Sequence, residues 1–193
     1  RRPVVVLSNN DGCIIARSGE AKEEGIPMGA PVFQHRDALR EMDAVVRSSN
    51  YALYADMSRR VMEELEAVAV EVERYSIDEA FLTVPALDRE RLTALARDLR
   101  RRVRRRQGVP IRCAIGPTKT LAKVADENAK QRDGVFVCPG EPERAALLDT
   151  VAVGDVWGIG PASEKKLAAK GVSTAEEFRQ LPDRWIRERM TVT

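Results

Sequence analysis

The region between residues 68 and 137 alternates short apolar runs with two helical patterns, and this order restricts the folds open to the chain. Two runs of strand composition come first, and apolar residues then repeat at helical spacing from Leu92 to Val103. A short alternating run around Cys113 follows, then a helix from Thr118 to about Lys130, and then a last apolar run at 135–137. The order strand–strand–helix–strand–helix–strand predicts an α+β domain whose small sheet carries its helices on one face.

The flanking regions have a different character. Residues 4–7 and 13–16 predict two short strands, residues 20–24 predict a helix that ends at Gly25, and residues 53–65 predict a longer helix. Residues 139–142 are typical of a linker, and short helices separated by glycines are expected after it. The chain opens almost at once into an apolar strand and does not begin with Met, so we expect it to be a segment of a longer protein.

Composition excludes several kinds of chemistry. The single histidine, His35, excludes catalytic sites that need two histidines, and three cysteines without a C-x-x-C pair exclude a disulfide framework and favour a reducing, cytoplasmic setting. No run approaches the about 18 apolar residues that predict a membrane span. The net charge of +2 indicates no partner by itself. Catalysis would therefore depend on carboxylates, lysines, arginines and a metal bound by oxygen.

The pair Asp78–Glu79 is the first candidate site. Adjacent carboxylates between two apolar strands are unusual, because strands disfavour Asp and like charges repel. A divalent cation would remove that cost, since hard cations take carboxylate oxygens. The alternative is a solvated hairpin turn.

Three basic segments could bind phosphates. Thr118 begins a helix that carries Lys119, Lys123 and Lys130, although the Walker A pattern is absent. The turn Gly158-Ile159-Gly160 precedes Lys165 and Lys166 and suits a grip on DNA phosphates. Seven arginines lie between residues 97 and 106. For each segment an ordinary structural role stays open: an amphipathic helix, a connection between helices and a solvated helix face, respectively.

Six segments in this order resemble the Y-family (translesion) DNA polymerases, and among them the UmuC-type catalytic subunit of DNA polymerase V. They cover nearly the whole chain and lie at residues 4–13, 16–29, 48–58, 76–81, 118–123 and 155–160. The resemblance implies a polymerase palm, a ferredoxin-like mixed sheet, at 51–138. It also implies a small fingers subdomain at 1–50 and part of an α-helical, helix-hairpin-helix-like thumb at 139–193.

The resemblance also implies an activity and partners. These are template-directed DNA synthesis of the SOS mutagenesis class, with a primed DNA template, deoxynucleoside triphosphates and two Mg²⁺ ions. A UmuD-type dimer, a recombinase filament and the sliding clamp are the implied protein partners, and a membrane is not among them.

Residue roles follow from the same resemblance. Asp78 and Glu79 match the palm carboxylates that hold the catalytic metal ions. Lys22 and Lys130 match residues that contact the triphosphate, and Arg17 is a further phosphate ligand. Residues with an implied DNA-binding role are Gly158, Ile159, Gly160, Lys165 and Lys166, while Ser76, Tyr51 and Tyr54 match supporting positions.

Two parts of the family pattern lie outside this sequence. The first family strand, with a third metal-binding aspartate and an aromatic steric gate, would precede Pro3, and the little-finger domain would follow the thumb. We therefore expect that the 193-residue chain alone does not extend a primer. The alternatives are a non-catalytic DNA-binding adaptor of the same fold, a plain nucleic-acid-binding module and a palm-like nucleotidyl cyclase.

Overall fold

The computed structural model describes residues 1–190, which form two compact units that divide after Arg60. The first unit contains a three-stranded sheet of order β2–β1–β3, in which β1 pairs antiparallel with β2 and parallel with β3. Its elements are β1 (Val4–Leu7), β2 (Ile14–Arg17), α1 (Gly19–Glu23), a 3₁₀ turn (Val32–Gln34), α2 (Arg36–Glu41) and β3 (Val45–Ser48).

The sheet of the first unit covers a small apolar core. Val5 and Leu7 alternate inward from β1 and pack with Ile14, and the helices add residues such as Ala21 and Leu39. Ser18 caps α1 by accepting a hydrogen bond from the Ala21 amide, as the predicted helix start requires. The predicted strands and helix near residues 4–24 are confirmed within one residue. The segments α2 and β3 were not anticipated.

The second unit begins within the helix α3 (Tyr51–Glu66) and contains two strand pairs followed by short helices. β4 (Glu71–Arg74) and β5 (Ala80–Thr83) form an antiparallel hairpin, and β6 (Cys113–Ile115) pairs parallel with β7 (Val135–Val137). The remaining helices are α4 (Arg89–Gln107), α5 (Lys119–Lys130), α6 (Glu143–Asp149), α7 (Pro161–Ala169), α8 (Ala175–Arg179) and α9 (Asp183–Arg189), with a 3₁₀ turn at Val153–Asp155.

Helices cover both faces of the β6–β7 pair. Cys113 packs on the core that α3 and α4 build around Leu99 and Val103, while Ala114 and Phe136 pack on α5. Successive strand residues point to opposite faces, so the two cores lie on opposite sides. The α+β class is confirmed, with two differences from the expected arrangement. α5 lies opposite α3 and α4, and the strands form two hydrogen-bonded pairs joined through core side chains instead of one continuous sheet.

The arginine run lies on α4 and is largely engaged in internal bonds. Glu64 of α3 is buried and accepts from Arg102 at 2.7 Å and from Arg106 at 3.3 Å, and the Arg102 bond is the main cause of its lowered pKa. Every arginine of the run except Arg105 bonds to a carboxylate or a carbonyl within the described part of the chain. These bonds favour a structural role for the run over contacts with phosphates.

Residues of α8 and α9 pack around Leu167 of α7, which is fully buried against Val153 and Val172. Thr174 and Glu177 form a capping box at the start of α8. Glu176, which precedes Glu177 in the first turn of α8, is buried. Its carboxylate accepts two 2.7 Å hydrogen bonds from Arg179 and one of 2.8 Å from Gln180. Along residues 1–190, no helix is both long enough and apolar enough to cross a bilayer.

Glu176 predicts a specific acid sensitivity. Hydrogen bonds from Arg179 and Gln180 lower its pKa from 4.5 to about 2. The stabilisation by the ionised form is therefore complete above pH 4.5 and is lost as the pH falls towards 2. We expect the melting temperature of Glu176→Gln to change less over this window than that of the unmodified chain. Exposed Glu143→Gln is the control. Equal pH dependence of Glu176→Gln and the unmodified chain would contradict the assignment.

Candidate active site

The hairpin between β4 and β5 presents two carboxylates on a short turn. The carbonyl of Glu79 accepts hydrogen bonds from the amides of Tyr75 and Ser76, both at 3.0 Å, which closes the turn. Ser76 Oγ donates to Asp78 Oδ1 at 2.6 Å and accepts from the Asp78 amide at 3.3 Å. Asp78 is exposed and Glu79 is half-buried. The predicted chain reversal at Asp78–Glu79 is confirmed.

Two lysines of α5, one helical turn apart, bond to carboxylates of the hairpin. Lys123 Nζ lies 2.8 Å from Glu79 Oε1, and Lys119 forms an ion pair with Glu73 of β4. The side chain of Lys123 is only 27 % exposed, so its charge is partly shielded from water. These ion pairs hold the first turns of α5 against the hairpin.

Lys130 lies seven residues after Lys123, which places it on nearly the same face of α5. It pairs with Glu127 and makes no bond to Asp78 or Glu79 among the described contacts. Between the two lysines, Asp126 receives a bidentate pair of 2.9 Å bonds from Arg112. This guanidinium is the main cause that lowers the pKa of Asp126, and the pair fixes α5 beside the start of β6.

Gly116 allows the start of α5 to approach the end of β6. A Cβ atom at this position would lie 2.6 Å from the amide nitrogen of Ala122 and 2.7 Å from the carbonyl carbon of Leu121. Both atoms belong to the backbone, so a rotamer change cannot relieve the overlap.

We expect Gly116→Ala to lower the free energy of unfolding by about 1–3 kcal/mol, because the α5 backbone must move to accept the methyl group. Urea unfolding measures this difference. Gly140→Ala is the matched control, since a Cβ there meets nothing within 4 Å. If both variants unfold at the same urea concentration, the close approach at Gly116 has no energetic weight.

Three aromatic rings gather at the base of the carboxylate turn. Tyr75 and Phe81 stand on either side of the turn, with ring centroids 5.6 Å apart. Trp157 lies 5.6 Å from the Tyr75 ring and 5.5 Å from the Phe81 ring, and its Nε1 donates to Tyr75 Oη at 3.2 Å. We call these three residues the aromatic cluster. Lys119 and Lys123 lie over the Phe81 and Tyr75 rings at 5.3 and 5.5 Å.

The predicted glycine turn follows Trp157 directly. Gly158 has a φ of +95°, which suits a residue without a side chain, and Gly160 is the N-cap of α7 with Pro161 at the first helical position. Lys165 is exposed on α7. Lys166 donates to the carbonyl of Arg189 at 2.9 Å, so its ammonium group supports the packing of α9.

The remaining predicted residues lie in the first unit. Lys22 is exposed on α1. Arg17, at the end of β2, donates to the carbonyl of Ile26, while its Nε is buried and has no hydrogen-bond partner in the described structure. Arg17 therefore supports the chain that follows α1. The three-part division at residues 50 and 138 stays a prediction beside the two units seen here.

Sequence reasoning singled out Asp78, Glu79 and the glycine turn, and it placed Lys119 and Lys123 in a helix start that could bind phosphates. It did not anticipate that these lysines bond to carboxylates of the hairpin, or that the aromatic cluster forms. The i, i+4 spacing of the two lysines after a helix cap indicates that they share one face of α5, so a common neighbour for both could have been expected. Nothing local in the sequence indicates that Trp157 meets Tyr75, since 82 positions separate them.

The donor atoms at the turn suit a hard cation. In the described residues, no group of three or more His, Cys, Asp or Glu side chains could hold a metal ion. Asp78 and Glu79 nevertheless offer carboxylate oxygens on an accessible turn. Mg²⁺ is commonly held by one or two carboxylates together with substrate phosphates, so this pair fits the ion.

Comparison with known proteins gives the family. Residues 1–127 match the family described as IMS, impB/mucB/samB. The chain belongs to the impB/mucB/samB family. This assignment confirms the resemblance drawn from the six motifs.

Sequence similarity to curated relatives covers nearly the whole of this family member. It is 45 % identical to Protein UmuC of Salmonella typhimurium, in an alignment of 196 positions that covers 99 % of this chain and 46 % of that protein. It is 33 % identical to DNA polymerase IV of Corynebacterium diphtheriae, over 96 % of this chain and 41 % of that protein. This impB/mucB/samB chain thus spans about half the length of the curated relatives it matches.

Solved structures share the fold. An insertion ternary complex of Dbh DNA polymerase superposes with a TM-score of 0.80 at 22 % identity, over 97 % of this chain and 56 % of that one. DinB from Sulfolobus solfataricus superposes with a TM-score of 0.77 at 22 % identity, over 97 % of this chain and 55 % of that one. The α+β architecture of this family member is therefore that of these polymerases.

Proposed function

We propose that this chain forms the fingers, palm and part of the thumb of a translesion DNA polymerase that adds deoxynucleotides to a primed template. The observation that carries the proposal is the exposed Asp78–Glu79 turn, with Lys123 bonded to Glu79 and Lys130 further along the same helix face. Metal-binding carboxylates beside phosphate-binding lysines are what nucleotidyl transfer requires.

The carboxylates are the proposed metal ligands. Asp78 and Glu79 would hold Mg²⁺, with two ions expected in the full-length protein. When bound, the ions lower the pKa of the primer 3′-hydroxyl and neutralise charge on the triphosphate. The role of Ser76 is to orient Asp78, since its hydroxyl donates to Asp78 Oδ1. Lys123 holds Glu79 Oε1, which fixes that carboxylate towards α5.

Basic residues are the proposed triphosphate ligands. Among the contacts of residues 1–190, the ion-pair partner of Lys130 is Glu127, an exposed residue that a phosphate can replace at small cost. Lys22 is likewise exposed and accessible to a phosphate. Arg17 is a weaker candidate, because its guanidinium already bonds to a backbone carbonyl.

The glycine turn is the proposed grip on duplex DNA. Gly158 and Gly160 bring backbone amides to the start of α7, where the helix dipole favours a phosphate, while the Ile159 amide donates to the Val156 carbonyl at 2.9 Å and holds the turn. Lys165 adds a positive charge, while Lys166 contributes less because it already donates to Arg189. Such contacts bind the backbone without reading base sequence.

The finer partners stay proposals that the family resemblance supports. They are a UmuD-type dimer, a recombinase filament and the sliding clamp. The structure of Dbh polymerase described as an insertion ternary complex supports binding of DNA and nucleotide by the shared fold. We also propose a cytoplasmic location, which agrees with the presence of three free cysteines.

Primer extension by the full-length protein tests the function. We expect Mg²⁺-dependent incorporation of the nucleotide complementary to an intact template base, and also incorporation of a nucleotide opposite an abasic site. Duplex binding without incorporation under any divalent cation would instead favour a non-catalytic adaptor of the same fold.

A further inference from the structure

Trp157 lies between the two proposed binding elements. It directly precedes the turn Gly158–Gly160, and its indole contacts both Tyr75 and Phe81, which flank the carboxylate turn. The centroid distances of 5.5–5.6 Å are in the range in which aromatic pairs attract each other. A single side chain of the helical region therefore touches both ends of the turn that carries Asp78 and Glu79.

Two hydrogen bonds continue this contact to the Glu79 backbone. The indole Nε1 donates to Tyr75 Oη at 3.2 Å. The Tyr75 amide then donates to the carbonyl of Glu79 at 3.0 Å. The two hydrogen bonds thus link the indole, through Tyr75, to the main chain of Glu79.

The Tyr75 ring also contacts the cation that bonds the Glu79 side chain. Lys123 Nζ lies 5.5 Å from the centre of the Tyr75 ring and 2.8 Å from Glu79 Oε1. Movement of Tyr75 therefore alters both the backbone position of Glu79 and the ammonium group that competes with a metal ion for its carboxylate.

The aromatic cluster is not locked inside the core. Trp157 is 37 % exposed and Tyr75 is also exposed, whereas Leu167, ten positions after Trp157, is fully buried. Rings at a partly solvated surface can shift by small amounts without opening a cavity in the core. The cluster can therefore respond to a ligand at the glycine turn.

We propose that Trp157 is a positioning residue that couples the turn Gly158–Gly160 to the carboxylates Asp78 and Glu79. Binding of duplex DNA at the turn and binding of a divalent cation at the carboxylates then strengthen each other, because coupling between two sites is reciprocal. This inference rests on the proposed function, which supplies both ligands.

The test measures Mg²⁺ affinity by calorimetry, with and without a short blunt DNA duplex. For the unmodified full-length protein, we expect the duplex to raise Mg²⁺ affinity by about fivefold or more, the usual lower range of coupling between sites. Trp157→Phe keeps a ring but removes the indole N–H, and Tyr75→Phe removes the acceptor of the same bond. Each variant should reduce the enhancement to about twofold or less.

A double variant and a second tryptophan sharpen the test. Trp157→Phe and Tyr75→Phe each break the same hydrogen bond. The double variant that carries both substitutions should therefore lose no more coupling than either single variant. Trp185→Phe is the matched control, since Trp185 packs on the Leu167 core and should leave the enhancement unchanged. Thermal unfolding of each variant separates lost coupling from lost folding, and Tyr75→Phe changes only one hydroxyl group.

The outcomes separate the inference from the proposed function. Mg²⁺ and duplex binding in the unmodified chain without mutual enhancement would overturn the coupling and leave the proposed function standing. An enhancement that Trp157→Phe and Tyr75→Phe both retain would also overturn the role of Trp157. Binding of neither Mg²⁺ nor duplex by the unmodified full-length protein would contradict the proposed function itself.

Discussion

Replacing Asp78 with Asn in the full-length protein is expected to lower the rate of templated incorporation by roughly 1,000-fold, since a metal ion supplies several kcal/mol of transition-state stabilisation. The substitution keeps the size of the side chain and leaves an oxygen that can accept the Ser76 hydrogen bond. It removes the negative charge that would hold the cation. Single-turnover primer extension measures the rate of the chemical step.

Asp98→Asn is the matched control for this prediction. Asp98 is exposed on α4 and pairs with Arg101 at 3.1 Å, away from the carboxylate turn. We expect the incorporation rate of Asp98→Asn to equal that of the unmodified protein. If Asp78→Asn stayed within a few-fold of the unmodified rate, the assignment of Asp78 as a metal ligand would be wrong.

Leu167→Ala is expected to destabilise the second unit by about 2–5 kcal/mol, because it removes a fully buried side chain from a packed core. Leu167 joins the 3₁₀ turn at Val153 to the segment at Val172, and Trp185 packs against the same cluster. Truncation leaves a cavity among these residues that short helices cannot close completely. The urea concentration at the unfolding midpoint measures the loss.

An exposed leucine provides the comparison. Leu53 on α3 is 51 % exposed, so we expect Leu53→Ala to cost less than about 1 kcal/mol. A midpoint for Leu167→Ala that matched the Leu53→Ala value would show that the core around α7 contributes little to folding.

Local patterns were sufficient for most individual elements. The spacing from Leu92 to Val103 predicted α4, and Thr118 was correctly identified as the cap of α5. The strand β3 was not predicted. Only Val45 among its residues is partly buried, so buried and exposed side chains do not alternate along it. Its strand conformation comes from parallel pairing with β1. A strand conformation that depends on pairing with a distant strand is not visible in the local amino-acid composition.

The candidate site likewise contains residues that local sequence patterns predicted and contacts that they did not. Asp78 and Glu79 were predictable because two adjacent carboxylates in an apolar strand context are chemically unusual. The ion pair between Lys123 and Glu79 was not, since 44 positions separate the two residues and the pair depends on how α5 packs beside the hairpin. The aromatic cluster depends on the same kind of long-range packing.

The parallel pairing of β1 with β3 has a consequence for synthesis on the ribosome. The partner of Val4 is Val45, about 40 positions later, and elongation at about 5–20 residues per second separates their appearance by roughly 2–8 s. Of the two described partners of β1, only β2 has been made by then, and a two-stranded hairpin by itself is marginally stable in water. The three-stranded sheet β2–β1–β3 therefore cannot be completed until β3 has emerged, seconds after β1.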